Sequence, residues 1–425
     1  MVSHGGHASP PRLPDAPFPL AKPARVSGEA PRPAVPLLLL ALITFSGTVG
    51  MYLFVPALPE AGAALGATTG AMQLTVSLYV LGLALGQPVY GPLSDRFGRR
   101  PVLVGGLVLY TLAGLLACLA PSAEVLILAR LFQALGGCAG LVLGRAIVRD
   151  TSEARQAAQR LALLNLMVTL GPGLAPVVGS AVLALAGWRV VLLLLCLLGV
   201  ANLFFTWRLL PETGLRAAPP DMPTLLRDYL RLLGSPVFLG YAVCGGCMTT
   251  ASYAFFGSAS FIFRELGRPE HEAGLALGLL VIGISIGNWL ASRLITRVPI
   301  DRVLVLAGAL SLGSTLLLLG VVLAGWLTVP WAMGCMFAFT LAVGVGGPPA
   351  LAQAISLNPR LVGSASGLYG AIQMGVGAVC SGLAGLGRDP ALAAALVLAG
   401  AAVTGQVALR VALRSRRRAG GAGGD

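Results

Sequence analysis

The stretch GPLSDRFGRR, Gly91 to Arg100, joins two long apolar segments and combines a carboxylate, Asp95, with two glycines and three arginines. Glycine permits a tight turn and a close approach of backbones. Arginines beside an apolar helix hold that helix end at the cytoplasmic surface of a membrane. The stretch therefore predicts a short loop between two membrane-spanning helices, with Asp95 placed against an arginine or a helix N-terminus.

The chain around this loop is too apolar for a soluble protein of its size. Of its 425 residues, 56% are hydrophobic and 11% are charged, and the mean hydropathy is +0.85. The apolar residues fall into runs of about 20, the length that crosses about 30 Å of hydrocarbon. The sequence predicts an all-α polytopic membrane protein with twelve transmembrane helices at residues 36–57, 71–93, 101–120, 124–147, 161–185, 189–210, 237–263, 275–296, 302–323, 329–352, 363–387 and 390–411.

The basic residues indicate the orientation of these spans. Most of the 29 lysines and arginines fall in the two tails and in the loops after even-numbered spans. Positive loops stay on the cytoplasmic side, so we expect a multi-pass protein of a bacterial inner membrane with both termini in the cytoplasm. Topology and contact with anionic lipid account for the net charge of +13, so we expect no nucleic-acid partner.

A polar interruption at 211–236 divides the spans into two sets of six. The segment GPLSDRFGRRPVLV (91–104) has a weak counterpart, SRLITRVPIDRVLV (292–305), at the equivalent place in the second set. Related halves with a substrate site between them are common in transporters. We therefore predict a disordered cytoplasmic tail at 1–33, an N-terminal half at 34–210, a cytoplasmic linker at 211–236, a C-terminal half at 237–411, and a basic flexible tail at 412–425.

The loop at 91–100 resembles the G-x-L-x-D-R-x-G-R-R/K loop between the second and third helices of the major facilitator superfamily. The resemblance implies the twelve-helix major facilitator fold in two six-helix halves and an alternating-access secondary transporter. In that family the loop locks the cytoplasmic ends of the two halves together in the outward-facing state. The resemblance places this gating role on Gly91, Asp95, Arg96, Gly98, Arg99 and Arg100.

Two further stretches are similar to drug-exporting branches of the family. LARLFQALGGCAGLVLGRAIVRD (128–150) resembles their fourth helix, and its glycines at every fourth position form a face for close helix packing. LGPGLAPVVG (170–179) resembles the antiporter motif, whose prolines predict a bent helix. The residues concerned are Arg130, Gln133, Arg145 and Asp150 in the first stretch, and Gly171, Pro172, Gly173, Pro176 and Gly179 in the second.

Shorter matches point to one branch. MYLFVPALP (51–59), GWR (187–189) and LPET (210–213) resemble the bicyclomycin- and chloramphenicol-resistance group of multidrug exporters. The resemblance implies export of drugs or other small amphipathic compounds by proton antiport. The rival interpretation is a metabolite or nutrient carrier, including a facilitator without proton coupling.

Arg130 is the only charged residue more than five positions from an end of a predicted span. An arginine in hydrocarbon costs between about 2.5 and 17 kcal/mol, depending on how far water relieves it. In one interpretation it donates to carbonyl groups of neighbouring helices. In the other it faces the substrate cavity, where it steers the substrate or shifts the pKa of a proton carrier.

Proton coupling has no obvious carrier, because no Asp, Glu or His lies inside a predicted span, apart from Glu124 at the first position of the fourth. Three accounts remain. Asp95, Asp150 or Glu60, near the span ends, can titrate as the gates close; the substrate can carry the proton or the compensating charge; or the protein is a facilitator. We prefer the first account, with Asp95 and Asp150 at the inner gate.

The architecture places a substrate cavity at mid-membrane, between the halves. One fixed positive charge there favours neutral amphipaths or anions over organic cations. The candidate lining residues share polar or aromatic side chains, or the soft side chain of methionine, on the spans expected around the cavity: Tyr52, Gln133, Asn165, Tyr253, Phe256, Asn288, Met336 and Gln373.

The remaining composition argues against other functions. A membrane enzyme would need paired carboxylates or a histidine cluster near the bilayer. All seven cysteines lie in apolar segments, and Cys244-x-x-Cys247 has no second ligand pair. We therefore expect a monomeric transporter with no enzyme activity, cofactor or metal, whose partners are a small-molecule substrate, protons and the lipid bilayer.

Overall fold

The computed structural model describes residues 35–152, 154–213, 222–357 and 362–421. For some positions within these ranges, including Asn165 and Pro172, only the backbone is described. Every regular element in the described part is a helix. The predicted disordered tail at 1–33 lies outside the described residues.

The first half begins with a broken span. Helix α1 (Leu37–Tyr52) is followed by a 3-10 turn (Val55–Ala57) and the short helix α2 (Leu58–Ala64). Five long helices follow: α3 (Thr69–Phe97), α4 (Arg99–Cys118), α5 (Ala123–Thr151), α6 (Ala154–Ala186) and α7 (Trp188–Leu209).

The second half repeats this pattern after a connecting helix, α8 (Met222–Leu233). Its first span is also broken, into α9 (Pro236–Thr249), a 3-10 turn (Thr250–Ser252) and α10 (Tyr253–Glu265). Five helices complete the chain: α11 (Glu270–Leu294), α12 (Ile300–Leu323), α13 (Val329–Ile355), α14 (Val362–Gly385) and α15 (Pro390–Gly421).

The predicted all-α polytopic fold is confirmed. In the described part, ten helical segments are long and apolar enough to cross a membrane, and an eleventh span results when the bent pair Pro223–Leu233 and Pro236–Glu265 is counted as one. The 33-residue helix α6 stands at the fifth predicted span. Each of the twelve predicted spans thus coincides with a helix or a broken helix.

Small residues bring the helices of the first half together. A Cβ atom at Gly136 would meet the backbone of Gly106 and Tyr110 in α4, and one at Gly140 would meet the carbonyl oxygen of Ile43 in α1. Helices in a bilayer associate through van der Waals packing, which close backbone approach strengthens. The glycine face of α5 therefore sets the spacing between α5, α4 and α1.

Helix α15 continues to Gly421 and so includes residues 412–421 of the predicted basic tail. Arg416 in this extension lies 3.7 Å, Nη1 to Oδ1, from Asp301 at the start of α12. Its Nη1 also donates to Gln353 Oε1 at 3.2 Å. A polar, basic composition resembles that of a tail, but these contacts give the extension a partner on the second half.

Gly140 provides a test of the packing. We expect Gly140→Val to lower the free energy of unfolding by about 1–3 kcal/mol, because the new side chain meets the α1 backbone, which cannot move aside easily. The measurement is the unfolding temperature of the detergent-solubilised protein. Gly105→Val is the matched control, since a Cβ at Gly105 has no atom within 4 Å. Equal unfolding temperatures for the two variants would contradict this account.

Candidate functional site

Arg130 lies in the middle of the first half and is completely buried. Its Nη2 donates to the carbonyl oxygen of Gly50 at 2.6 Å, and its Nη1 donates to Gln133 Oε1 at 2.6 Å. Its guanidinium carbon lies 4.1 Å from the centroid of the Tyr79 ring. Charge-assisted hydrogen bonds and a cation–π contact thus replace water around this charge. The geometry favours the carbonyl-bound interpretation over an arginine that faces a wet cavity.

The carbonyl that Arg130 binds belongs to the break in the first span. Gly50 is among the last residues of α1, whose carbonyl groups lose their intrahelical donors where the helix ends. Two tyrosines hold the preceding turn: Tyr79 Oη donates to the Gly47 oxygen at 3.0 Å, and Tyr110 Oη to the Ser46 oxygen at 3.3 Å. Side chains from three neighbouring helices therefore fix the end of α1.

The loop predicted at 91–100 is reduced to a turn at Gly98, because residues 91–97 continue α3 and α4 begins at Arg99. Gly98 has φ of 99°, a conformation that favours glycine. Arg99, the next residue, bridges two carboxylates: its Nη1 lies 2.5 Å from Asp95 Oδ1 and its Nε lies 2.9 Å from Asp150 Oδ2. Because the Arg99 side chain is only 15% exposed, solvent screens these pairs less than surface pairs.

Glu212 is a loop partner that the sequence reasoning missed. Its carboxylate accepts backbone N–H groups of Arg99 at 2.9 Å and Arg100 at 3.3 Å, at the start of α4. An acidic group at a helix N-terminus is favourable. A Cβ at Gly98 would lie 2.6 Å from a Glu212 oxygen. Any larger residue at this position would therefore clash with Glu212. The only signal in the sequence was an acid directly after the sixth span.

The contacts of this loop stay within the first half. Among the described residues, the hydrogen bonds and ion pairs of 91–100 end on α3, α5, α7 or Glu212. Arg100 Nη2, for example, donates to the Trp207 oxygen at 2.8 Å, and Arg96 is exposed. The locking of the two halves by this loop in an outward-facing state therefore stays a prediction about another conformation.

A cavity of about 530 Å³ lies between the two halves, beside this loop. The second half contributes Ile355 and residues of α14, and α8 contributes Leu225 and Tyr229. The predicted inner-gate residues come together in its wall on the first half, which includes Gln87, Gly91, Asp95, Arg99, Arg145, Arg149 and Asp150.

Direct contacts between the halves close the opposite end. Gln73 Nε2 of α3 donates to Ser258 Oγ of α10 at 2.9 Å. Ser260 Oγ of α10 donates to the Val55 oxygen, in the break of the first span, at 3.0 Å. All four residues are buried. This conformation is thus open towards the predicted cytoplasmic face and closed towards the outer face.

Three predicted cavity residues meet where the two broken spans face each other. The Tyr52 ring centroid lies 6.2 Å from that of Tyr253 and 5.9 Å from that of Phe256, in both cases edge to face. Gln373 approaches the same region, since its Nε2 donates to Thr249 Oγ1 at 2.7 Å beside the break after α9. These aromatic rings form the contact between the halves at mid-membrane.

The other predicted cavity residues lie elsewhere. Gln133 is completely buried and its Nε2 faces Gly114 of α4, away from the second half. Asn288 is half-buried on α11, and Met336 is buried on α13. The side chain of Asn165 lies outside the described residues.

The residues of the antiporter motif lie where α6 meets α1 and α11. A Cβ at Gly179 would meet the backbone of Leu53, and one at Gly173 would lie 3.2 Å from Val281. The Pro176 carbonyl approaches Gly274 in the same way, and Gly171 faces Thr48. The side chain of Pro172 lies outside the described residues. The described positions allow α6 to approach both the first span and the second half.

This architecture and its relatives define the protein class. The family model of the Major Facilitator Superfamily matches residues 40–382. The chain belongs to the Major Facilitator Superfamily and is a multi-pass membrane transporter.

Within this superfamily, the chain is similar to proteins named for drug resistance. The chain is 32% identical over 365 residues to the multidrug resistance protein D of Escherichia coli, covering 81% of this chain and 87% of the relative. It is 31% identical over 337 residues to a chloramphenicol resistance protein of Pseudomonas aeruginosa, covering 77% of this chain and 76% of the relative. A crystal structure of a D-xylose–proton symporter shares the fold, with a TM-score of 0.69 at 14% identity, covering 86% of this chain and 95% of that structure.

The Arg130 contacts predict a graded effect of substitution. Arg130→Met keeps an apolar stem but leaves the Gly50 oxygen without its donor, so we expect a loss of about 1–3 kcal/mol in unfolding free energy. Arg130→Lys should lose less, because its ammonium group keeps a charged donor for the Gly50 oxygen. It should still lose some stability, because one ammonium group cannot reproduce two guanidinium bonds and the ring contact. Unfolding temperatures measure both effects. Arg268→Met, at a side chain 56% exposed, is the control, and equal stability of all three variants would refute the assignment.

Proposed function

We propose that this protein exports drugs or other small amphipathic compounds across a bacterial inner membrane by alternating access. The observation that carries the proposal is the cavity between the halves, open towards the predicted cytoplasmic face and closed towards the outer face. An exporter loads its substrate in this conformation. The names of the relatives that confer resistance to chloramphenicol and to several drugs support the same function.

The exporting step would open the outer end and close the inner end. Gln73–Ser258 and Ser260–Val55, the contacts at the outer end, must separate. Two neutral hydrogen bonds contribute about 0.5–1.5 kcal/mol each, so a modest change in binding energy at the cavity can open this end. The two halves would then rock about the aromatic contact at mid-membrane.

The inner gate is proposed to be the cluster in which Arg99 bridges Asp95 and Asp150. In the inward-open conformation the three groups satisfy each other within the first half. Two carboxylates against one guanidinium leave one negative charge on this cluster, beside Arg145 and Arg149 in the same cavity wall. When the inner end closes, that charge would lie against the second half, where the loop is expected to lock the two halves together.

The same cluster is our preferred site of proton coupling. Asp95 and Asp150 reach the cavity, and their side chains are 40% and 24% exposed. A proton on either carboxylate would weaken its bond to Arg99, so protonation and the position of the gate are linked. A substrate that itself carries the compensating charge, or a facilitator without coupling, remains the alternative.

The positive charge expected at the substrate cavity comes from residues other than Arg130. Arg130 is buried against α1, so it offers no charge to the cavity in this conformation. Arg145 and Arg149, one turn apart on α5, line the cavity instead. Together with the aromatic rings of Tyr52, Tyr253 and Phe256, they favour neutral or anionic amphipaths. We further propose a monomer with both termini in the cytoplasm.

Export is tested by expression in an efflux-deficient bacterium with a panel of toxic compounds that includes chloramphenicol. We expect lower accumulation of at least one compound, and higher susceptibility when Tyr52→Ala or Phe256→Ala is expressed at the same level. Faster uptake of a nutrient would favour the carrier interpretation. In proteoliposomes, accumulation driven by a pH gradient alone supports antiport, whereas equilibration without accumulation identifies a facilitator.

The shared arginine predicts how gate variants combine. Asp95→Asn and Asp150→Asn should each slow export several-fold, and the double variant should be little worse than the slower single one, because both act through Arg99. Initial export rates at matched expression measure this double-mutant cycle. Asp301→Asn, at a carboxylate of the second half that is 42% exposed, serves as the control. Multiplicative losses would contradict a common gate.

A further inference from the structure

Helix α8 connects the two halves and carries apolar side chains around more than one face. Leu225 and Tyr229 line the cavity, and Leu232 is only 5% exposed against the second half. These three residues, at spacings of three and four, form the face of α8 that packs on the protein. The packing of α8 on the protein therefore does not need its other leucines, Leu226, Leu230 and Leu233.

A second apolar face of α8 points away from the protein. Leu226 and Leu230 are each 60% exposed, and Leu233 is 41% exposed. Their spacing places them on one side of the helix, beside the protein-facing residues. The exposed residues Arg227 and Arg231 follow on the next sector of the helix. The outward part of α8 thus combines a leucine stripe with a flanking pair of positive charges.

The orientation of α8 differs from that of the spans. Its axis turns by 77° from that of the helix pair that forms the seventh span. A helix at that angle, ending just before the seventh span begins at Pro236, runs along the membrane surface when that span crosses the membrane. The basic loops place this surface on the cytoplasmic side, where the leaflet carries anionic lipid.

We propose that α8 binds the anionic surface of the cytoplasmic leaflet. Leu226, Leu230 and Leu233 enter the boundary between headgroups and acyl chains, while Arg227 and Arg231 contact lipid phosphates. Amphipathic helices with a leucine face and basic flanks bind interfaces in this manner. Each arginine near an anionic surface strengthens attachment roughly fivefold, so the two together make attachment depend on the charge of the lipid.

A hydrogen bond to the first half links this surface helix to the transport pathway. Pro92 has no N–H group, so the Pro88 carbonyl oxygen in α3 lacks its intrahelical donor. Tyr229 Oη of α8 donates to that oxygen at 3.1 Å. Since Tyr229 also lines the cavity, lipid bound to α8 holds a residue that lies at the cavity mouth.

Hydrogen exchange of the full-length protein, one copy per nanodisc, tests the proposal. The probes are nanodiscs of phosphatidylcholine alone and of phosphatidylcholine with phosphatidylglycerol. We expect amide exchange across residues 222–233 to slow at least severalfold in the anionic nanodiscs, and to recover in high salt. Exchange that is the same in both lipids overturns the proposal. Protection that appears only with two copies per nanodisc also overturns it, because the leucine stripe would then bind a second chain.

Matched variants identify the residues responsible. Arg227→Gln with Arg231→Gln should abolish the lipid-dependent slowing, and Leu226→Ser with Leu230→Ser should reduce protection in both lipids. Arg297→Gln with Arg302→Gln removes equal charge from another exposed cytoplasmic site, and Leu357→Ser alters an exposed leucine outside α8. Both controls should behave as the unaltered protein does. If they lose protection as the α8 variants do, the effect is general and the proposal fails.

Tyr229→Phe separates the lipid contact from the protein contact. It removes the hydrogen bond to Pro88 but leaves the outward face of α8 unchanged, so lipid-dependent slowing should persist. Loss of the slowing in this variant would show that protein contacts alone place the helix, and would overturn the proposal. None of these measurements requires transport, so their outcome is independent of whether the protein exports drugs.

Discussion

The bond from Arg130 to the Gly50 carbonyl group is the contact on which the first half depends. A bilayer offers no water to a carbonyl released by a broken helix, so the protein must provide the donor. Arg130 of α5 does so, with its Nη2 2.6 Å from the Gly50 oxygen. With the end of α1 fixed, Tyr52 faces Tyr253, and the Val55 carbonyl oxygen in the following turn accepts a hydrogen bond from Ser260. One buried donor thus supports both the aromatic contact and the closed outer end.

The same constraint explains features that look unrelated in the sequence. In α3, Pro92 releases the carbonyl of Pro88, and Tyr229 of the connecting helix binds it. In the second half, Gln373 reaches Thr249 where α9 ends. Each of these three interruptions has a specific polar side chain beside it.

The bilayer also decides how much of the fold could be predicted. The spans were predictable because length and hydropathy follow from membrane thickness, and the turn at Gly98 because few residues other than glycine adopt its φ. The particular carbonyl group that Arg130 binds was not, since Gly50 lies 80 positions away in the chain and a backbone carbonyl has no sequence signature. Glu212 and Arg416 were missed for a related reason: both act on helix ends that lie close only in three dimensions.

Arg130 and the Arg99 cluster, two sets of charges in the first half, differ in their exposure to solvent. Arg130 is fully buried and donates to groups that do not titrate, so a change of pH alters none of its hydrogen-bond partners. The Arg99 cluster differs, because its carboxylates are partly exposed in the wall of the cavity between the halves. A coupling group must meet solvent on one side and change its surroundings during the cycle. Our proposal therefore assigns coupling to the Arg99 cluster and leaves Arg130 to maintain the shape of the first span.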